Sequence, residues 1–126
     1  MLKKYFIAFC LLILYSNNLQ AAGTGDSSSS KVKSDYDKAV SLIKSAKKYE
    51  KKGKTEKANK KYEKARKLLI ISNNEEPLRA DTLNYLGFTT RKLGDYENGE
   101  KYYLLGLKIE PNHKGINEYL GELYVA

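Results

Sequence analysis

The sequence predicts an all-α fold, and three observations lead to that prediction. From about Ser34 onward, apolar residues recur every three or four positions, which is the spacing of an amphipathic helix and not of a strand. Glycine and proline interrupt that pattern at intervals that fit short connections between helices. Similar sets of small and large residues also return at fixed offsets, which is typical of helical repeats. Together these features predict about five helices.

The first two helices are predicted on either side of Gly53. Ser34 or Asp35 can cap the first helix at its N-terminus, and the second helix is expected to begin near Thr55. The apolar stripes are Tyr36, Ala39, Val40, Ile43, Ala46 and Tyr49 in the first helix and Ala58, Tyr62, Ala65, Leu68 and Leu69 in the second. The segment 72–77, which ends in proline, is predicted to be a turn because proline closes or opens helices.

Three further helices follow this turn. The third is expected to stop at Gly94, the fourth to be capped by Asp95 and to run until Pro111, and the fifth to begin near Lys114. Their apolar residues are Leu83, Tyr85, Leu86, Phe88 and Leu93, then Tyr96, Tyr102, Tyr103, Leu107 and Ile109, then Ile116, Tyr119, Leu120, Leu123 and Tyr124.

Self-similarity along the chain defines repeat units. At an offset of 34 residues the matching pairs are Tyr85 with Tyr119, Leu86 with Leu120, and Gly87 with Gly121. At an offset of 41 residues they are Ala46 with Gly87, Gly53 with Gly94, Ala58 with Gly99, and Tyr62 with Tyr103. The larger offset is the same period plus seven residues, which we assign to a longer second helix and the turn after it.

This pattern resembles the tetratricopeptide-repeat (TPR) family. The clearest unit spans residues 80–113, a weaker unit spans 39–72, and residues 114–126 supply only the first helix of a third. The clear unit carries Leu83, Leu86-Gly87, Leu93-Gly94-Asp95-Tyr96-Glu97, Tyr103 and Leu107-Lys108-Ile109-Glu110-Pro111. The resemblance implies a TPR domain over 34–126, in which antiparallel helix pairs stack in a right-handed superhelix.

The small residues of the repeat have a physical explanation. Two helices of a unit can cross closely only where a side chain is small. Ala46, Gly87 and Gly121 are expected to provide that contact on the first helices, and Ala58 and Gly99 on the second. Glycine inside a helix costs about 1 kcal/mol relative to alanine, so close approach explains why it is present.

The last predicted helix is apolar, and no polar closing helix follows it in the sequence. Helical repeats need their terminal apolar face to be covered. We favour the interpretation that the sequence is a fragment of a longer chain. Two others stay open: the last helix is itself the cover, or a partner completes the stack.

The N-terminus has the layout of a secretory signal peptide. Lys3 and Lys4 precede an apolar run from Tyr5 to Tyr15, and small residues end the segment at 21–23. The run is too short to span a membrane, which takes about 20 apolar residues. We expect a signal peptide at 1–22, a flexible polar linker at 23–33, and an exported protein, most simply periplasmic. The one cysteine, Cys10, lies inside the apolar run, so the mature chain would contain none.

The sequence contains no catalytic constellation. His113 is the only histidine, and its place in a turn between units suggests a solvated polar residue and not a general base. No second histidine or cysteine accompanies it to hold a metal, and the Gly-Lys-Thr at 53–55 lacks the remainder of a phosphate-binding loop. We therefore predict a non-enzymatic protein without catalytic residues, a metal site or a cofactor.

Charge is distributed unevenly along the chain. The segment 31–67 carries a local net charge of +10, whereas 68–126 carries −3. Such asymmetry suggests an anionic partner, although a solvated helical surface is an equally good explanation. Nucleic acid is not expected as the partner, because Tyr49 and Tyr62 within the basic stretch fall at repeat core positions and the protein is predicted to be exported. Anionic lipid headgroups or cell-wall polymers are the better candidates.

The TPR resemblance implies a function in binding. First helices of successive units line a groove in this family, and a protein or peptide partner of the cell envelope would be held there. The residues assigned to partner binding by register are Lys47, Lys51, Asn84, Phe88, Arg91 and Lys92, and Glu50, Glu118 and Glu122 map to the same groove. Phe88 is the expected hot spot, because helical packing is not expected to need its ring. The alternative function is attachment of the basic first hairpin to an anionic envelope surface or polymer.

Overall fold

The computed structural model describes residues 32–126, and this part of the chain contains five α-helices and no strand. The helices are α1 Asp35–Lys51, α2 Thr55–Glu75, α3 Ala80–Lys92, α4 Tyr96–Ile109 and α5 Lys114–Val125. The predicted signal peptide and all but the last two residues of the predicted linker lie outside the described residues.

Side chains that the sequence singled out as caps begin two of the helices. The Ser34 hydroxyl accepts a hydrogen bond from the Asp37 N–H at 3.1 Å. The Asp95 carboxylate accepts one from the Asn98 N–H, also at 3.1 Å. Each bond satisfies a backbone donor that has no partner within its helix. These predicted helix starts are confirmed.

His113 caps α5, which the sequence did not predict. Its Nδ1 accepts a hydrogen bond from the Ile116 N–H at 3.1 Å, and its Nε2 lies 2.8 Å from Oδ1 of Asp81 on α3. The side chain is only 10% exposed. The expectation of a solvated turn residue is therefore wrong, because the ring joins the start of α5 to α3.

Two glycines end the first helices of the two complete pairs. Gly53 has a φ of 70° and Gly94 a φ of 94°. Residues that carry a side chain adopt such positive φ angles at an energetic cost, so glycine suits both turns. The predicted helix breaks at Gly53 and Gly94 are confirmed.

The connection after α2 differs from the prediction. The helix continues to Glu75, whereas a turn was expected from Ser72. Ser72 is buried on the same face as Ala65 and Leu69, so packing extends the helix past its polar residues. The longer second helix is confirmed: α2 has 21 residues and α4 has 14, which accounts for the seven-residue difference between the two repeat offsets.

The helices form a stack of antiparallel pairs, as the TPR resemblance implies. Three-residue turns connect α1 to α2 and α3 to α4, and each pair is in extensive contact. The helix α3 also contacts α1 and α2, and α5 packs on α3 and α4. The all-α, TPR-type arrangement predicted from the sequence is confirmed.

The small residues allow helices to approach closely at most of the predicted positions. Ala46 and Ala58 are fully buried. A Cβ atom added to Gly87 would lie 2.5 Å from the Tyr103 ring, and one added to Gly99 would lie 3.1 Å from the Gly87 carbonyl oxygen. The helices α3 and α4 thus cross where neither has a side chain.

Gly121 does not follow this rule. It is exposed, and a Cβ added there would meet nothing within 4 Å. The predicted close contact at Gly121 is therefore wrong, because no helix of the described chain lies over this part of α5.

Candidate partner-binding groove

The predicted groove corresponds to the layer of first helices, in which α3 lies between α1 and α5 and contacts both. Four of the six residues assigned to partner binding meet at one place in this layer. They are Lys47 from α1 and Phe88, Arg91 and Lys92 from α3. We call this group, together with Tyr119 of α5, the Phe88 cluster.

Phe88 forms the floor of this cluster. Its side chain is 2% exposed. Its ring centroid lies 5.8 Å from that of Tyr62 on α2 and 4.7 Å from that of Tyr119 on α5. Such tilted and edge-on arrangements are favourable for aromatic pairs. The expectation that helical packing would not need Phe88 is wrong, because the ring joins three helices in the core.

Lys47 spans the groove above Phe88. Its ammonium nitrogen lies 4.5 Å from the Phe88 ring centroid and 5.2 Å from that of Tyr119. It also donates a hydrogen bond of 2.9 Å to the Tyr119 hydroxyl. The charge is held by aromatic faces and a hydroxyl, and no carboxylate of the described chain lies within 4 Å of it.

Arg91 and Lys92 are paired with carboxylates of the chain itself. The Arg91 guanidinium bonds Glu122 at 2.8 Å, and the Lys92 ammonium bonds Glu50 at 3.0 Å. Both cations lie 5.7 Å from the Phe88 ring centroid. Glu50 and Glu122, which the repeat register also places in the groove, neutralise these two cations.

Glu50 also connects the groove to the core. It accepts a hydrogen bond of 2.9 Å from the hydroxyl of the fully buried Tyr62. Burial, and secondly this bond to a carboxylate, raise the pKa of Tyr62 well above its usual value. Tyr62 therefore stays protonated and keeps Glu50 in position beside Lys92.

The other two predicted groove residues lie apart from this cluster. Lys51 is exposed, one turn beyond Lys47 near the end of α1. Asn84 is 6% exposed and packs against Gly115 at the start of α5, where an added Cβ would lie 2.8 Å from its amide nitrogen. Its Oδ1 has no hydrogen-bond partner in the described part of the chain. Asn84 thus packs at the junction of α3 and α5 and is not an open contact surface.

Tyr119 was not among the predicted binding residues. The repeat matches it to Tyr85 and placed it in the helical core, yet it is only partly buried and its hydroxyl bonds Lys47 from 72 positions away in sequence. Register alone does not reveal this role, because the contact depends on how α5 packs across α3.

A second charged surface lies on the first hairpin. We call it the basic hairpin face; its members are Lys48, Lys51, Lys52, Lys54, Lys57, Lys61, Lys64 and Lys67. In residues 32–126 none of these lysines forms an ion pair, whereas the neighbouring Lys60 bonds Glu56 at 2.9 Å. Lys57 and Lys61 lie 6.0 Å and 5.6 Å from the Tyr49 ring centroid.

Within residues 32–126, no group of three or more histidine, cysteine or acidic side chains is placed to hold a metal ion. No helix in this range is both long and apolar enough to cross a bilayer.

The chain was compared with family models, curated proteins and solved structures, and likenesses were found among the solved structures. No protein-family model and no curated protein matches the sequence. Among solved structures, the chain is similar to the first TPR of Spaghetti (RPAP3) bound to the HSP90 peptide SRMEEVD. The two share 18% sequence identity with a TM-score of 0.46, over 71% of this chain and 92% of that one. A likeness of this size carries no information about what this chain binds.

Proposed function

We propose that the chain is a non-enzymatic helical scaffold that holds a protein or peptide across the layer formed by α1, α3 and α5. The observation that carries the proposal is the state of Lys47. Of the three cations in the Phe88 cluster, it is the one without a carboxylate from the described chain. An acidic side chain or a C-terminal carboxylate of a partner would pair with the Lys47 ammonium through a charge-assisted hydrogen bond.

The neighbouring ion pairs also favour a partner whose carboxylate lies at Lys47. Glu50 and Glu122 leave little net charge at Lys92 and Arg91, so the attraction for an anion is concentrated on Lys47. The Tyr119 hydroxyl accepts a hydrogen bond from Lys47 and keeps its own hydrogen, which it can donate to the same carboxylate. A partner segment with one well-placed carboxylate fits this site.

Selection of peptides from a random display library tests the proposal. The protein and its Lys47→Met variant are used as separate targets, because methionine retains an apolar stem over Phe88 and removes the charge. We expect the selected peptides to carry an acidic residue or a free C-terminus. Their affinity should fall at least about tenfold for the variant, since hydrogen bonds to charged groups contribute about 1.5–3 kcal/mol.

The matched control is Lys64→Met, which removes one exposed charge from α2. Peptides that bind the protein and Lys47→Met equally well would contradict the proposal. Phe88→Ala is unsuitable as a test, because truncating a buried phenylalanine costs about 3–5 kcal/mol of folding free energy and would unfold the site.

Export to the cell envelope is part of the proposal and is supported by the signal-peptide pattern of residues 1–22. We expect the protein in the periplasmic fraction, and we expect its signal peptide to be cleaved near Ala21 or Ala22. Fractionation followed by mass determination of the intact chain checks this. Recovery of the full-length chain in the cytoplasm would contradict it.

A second candidate function is attachment to an anionic envelope surface, which the unpaired lysines of the basic hairpin face favour. Eight such lysines on one hairpin would bind anionic headgroups mainly by charge. Sedimentation with phosphatidylcholine vesicles, with and without phosphatidylglycerol, tests this. Binding should require the anionic lipid and should be lost between about 0.1 M and 1 M salt, where the screening length falls from ~10 Å to ~3 Å.

Neutralising Lys57 and Lys61 together, as Lys57→Gln with Lys61→Gln, should weaken the vesicle binding. The control pair is Lys101→Gln with Lys108→Gln on α4, which has the same change in net charge. Binding that persists at high salt, or that is equally weak in both double variants, would contradict attachment through the hairpin.

A further inference from the structure

A furrow lies between the second helices of the two complete pairs. No Cα atom of α2 lies within 8 Å of a Cα atom of α4, although both helices pack against α3. The space between them has a volume of about 500 Å³. Its lining includes Arg66, Lys67 and Ile70 of α2, Thr90 of α3, and Tyr102 of α4. Lys67 is also a member of the basic hairpin face, and none of these residues belongs to the Phe88 cluster.

Thr90 presents a hydroxyl that has no partner. The residue is 2% exposed, and its Oγ1 makes no hydrogen bond within the described residues. The adjacent Thr89 instead donates to the Tyr85 carbonyl oxygen at 2.8 Å, which is how a threonine inside a helix usually satisfies its hydroxyl. A buried hydroxyl without a partner is costly. The oxygen itself is enclosed by the protein, so an occupant of the furrow reaches it only once the side chains of the lining move apart.

The charged groups of the furrow favour an anion. Arg66 and Lys67 form no ion pair within 4 Å in residues 32–126. The one carboxylate in the lining, Asp95, is already occupied by Asn98, which donates its N–H at 3.1 Å and its side-chain amide at 2.7 Å. These bonds, with a smaller contribution from Arg66, lower the pKa of Asp95. The carboxylate therefore remains a helix cap, and the two cations are free to bind an anion.

The furrow also has an apolar wall. Ile70 is 41% exposed although it is aliphatic, and the partly buried Tyr102 presents its ring from α4. Covering this surface would remove apolar area from water, which is favourable. An occupant with an apolar body and an anionic head matches both parts of the lining.

We propose that the furrow between α2 and α4 is a second binding site, which takes small amphipathic organic anions. The anionic head, a carboxylate, sulfate or phosphate, bonds Arg66, Lys67 and the Thr90 hydroxyl. The apolar body lies on Ile70 and Tyr102. This site is separate from the partner-binding groove, because the two share no side chain.

Titration with dodecanoate below its micelle concentration, followed by the amide signals of the protein in NMR spectra, tests the proposal. We expect the largest shifts at Ile70, Thr90 and Tyr102. Dodecyltrimethylammonium, which has the same chain and the opposite charge, should neither cause these shifts nor compete with dodecanoate.

Two variants test the polar contacts. Arg66→Gln with Lys67→Gln, and separately Thr90→Val, should each raise the dissociation constant about tenfold or more, as expected for hydrogen bonds to a charged group. Thr90→Val should fold normally, because valine has nearly the same shape and the hydroxyl has no partner to lose. Thermal unfolding of the variant checks this.

The control double variant, Lys48→Gln with Lys52→Gln, carries the same net charge and should bind dodecanoate as the unaltered protein does. Three results would each overturn the proposal. In the first, the largest amide shifts fall in the Phe88 cluster. In the second, the control double variant loses as much affinity for dodecanoate as Arg66→Gln with Lys67→Gln does. In the third, dodecyltrimethylammonium binds as tightly as dodecanoate. Loss of peptide binding in Lys47→Met would leave this site unaffected, so the two proposals fail separately.

Discussion

Glycine has opposite structural consequences at two positions that the repeat makes equivalent. Gly87 is buried, and the Tyr103 ring occupies the space where a side chain would begin. Gly121, 34 residues later, has open space instead. The same residue therefore permits close helix packing in α3 and only reduces helix propensity in α5.

We predict that Gly87→Ala destabilises the protein by about 1–3 kcal/mol, because the added methyl group must displace the fully buried Tyr103. Gly121→Ala should stabilise it by about 0.5–1 kcal/mol, because alanine has the higher helix propensity and meets no obstacle. Urea unfolding of both variants, fitted with one common m-value, measures how each substitution changes the free energy of unfolding.

Gly94, which ends α3, provides a control for both variants. Gly94→Ala adds a methyl group into open space but at a φ of 94°, so any loss of stability there is conformational and not a clash. If Gly87→Ala and Gly121→Ala changed the free energy of unfolding in the same direction, the explanation given for these two glycines would be wrong.

At the scale of an element, α5 depends on its attachments. A helix of 12 residues is marginal by itself in water. The buried Ile116 and Leu120 hold it against α4, and His113 joins its first turn to Asp81. The helix is therefore stable only as part of the stack.

Replacing His113 by alanine should selectively loosen α5. The change removes both the hydrogen bond to the Ile116 N–H and the contact with Asp81. Because the loss of an N-cap typically costs about 1 kcal/mol, hydrogen exchange should accelerate at the amides of α5 and not at those of α1. Asp81→Ala, which leaves the cap in place, should have the smaller effect, and unchanged exchange in α5 of the His113 variant would contradict the proposed attachment.

At the scale of the whole molecule, tyrosine fills the core between helices. Burial is the main cause that raises the pKa of Tyr36 to about 12, and it raises the pKa values of Tyr62 and Tyr103 further. A core built with these hydroxyls is stable only while they keep their protons. Stability is therefore linked to alkaline pH.

The raised tyrosine pKa values determine whether stability rises or falls with pH. Because the folded pKa values are raised above the unfolded value of about 10, the folded state retains protons that the unfolded chain releases. The stabilisation is fully present below about pH 10 and is lost as the pH rises through about 12. We predict that the urea midpoint stays constant near neutral pH and falls steeply between about pH 10 and 12.

Spectroscopic titration of tyrosinate, compared with urea unfolding at each pH, provides the measurement. Part of the tyrosine absorbance should change only as the protein unfolds, and Tyr103→Phe should show a shallower loss of stability with pH. Complete titration of the folded protein near pH 10 would contradict the prediction.

The periodicity of the sequence was sufficient to predict the helices, two of their caps, the breaks at Gly53 and Gly94, and the close crossing at Gly87. These features depend on neighbouring residues, or on a repeat that brings the same neighbours together again. Register also placed Lys47, Phe88, Arg91 and Lys92 on one layer of helices.

Only the tertiary structure decided what these residues touch. The burial of Phe88, the bond from Lys47 to Tyr119, the open space at Gly121 and the unpartnered hydroxyl of Thr90 all depend on residues from helices far apart in sequence. A local pattern fixes which face of a helix is apolar. It does not fix which side chain of another helix, dozens of residues away, comes to lie against that face.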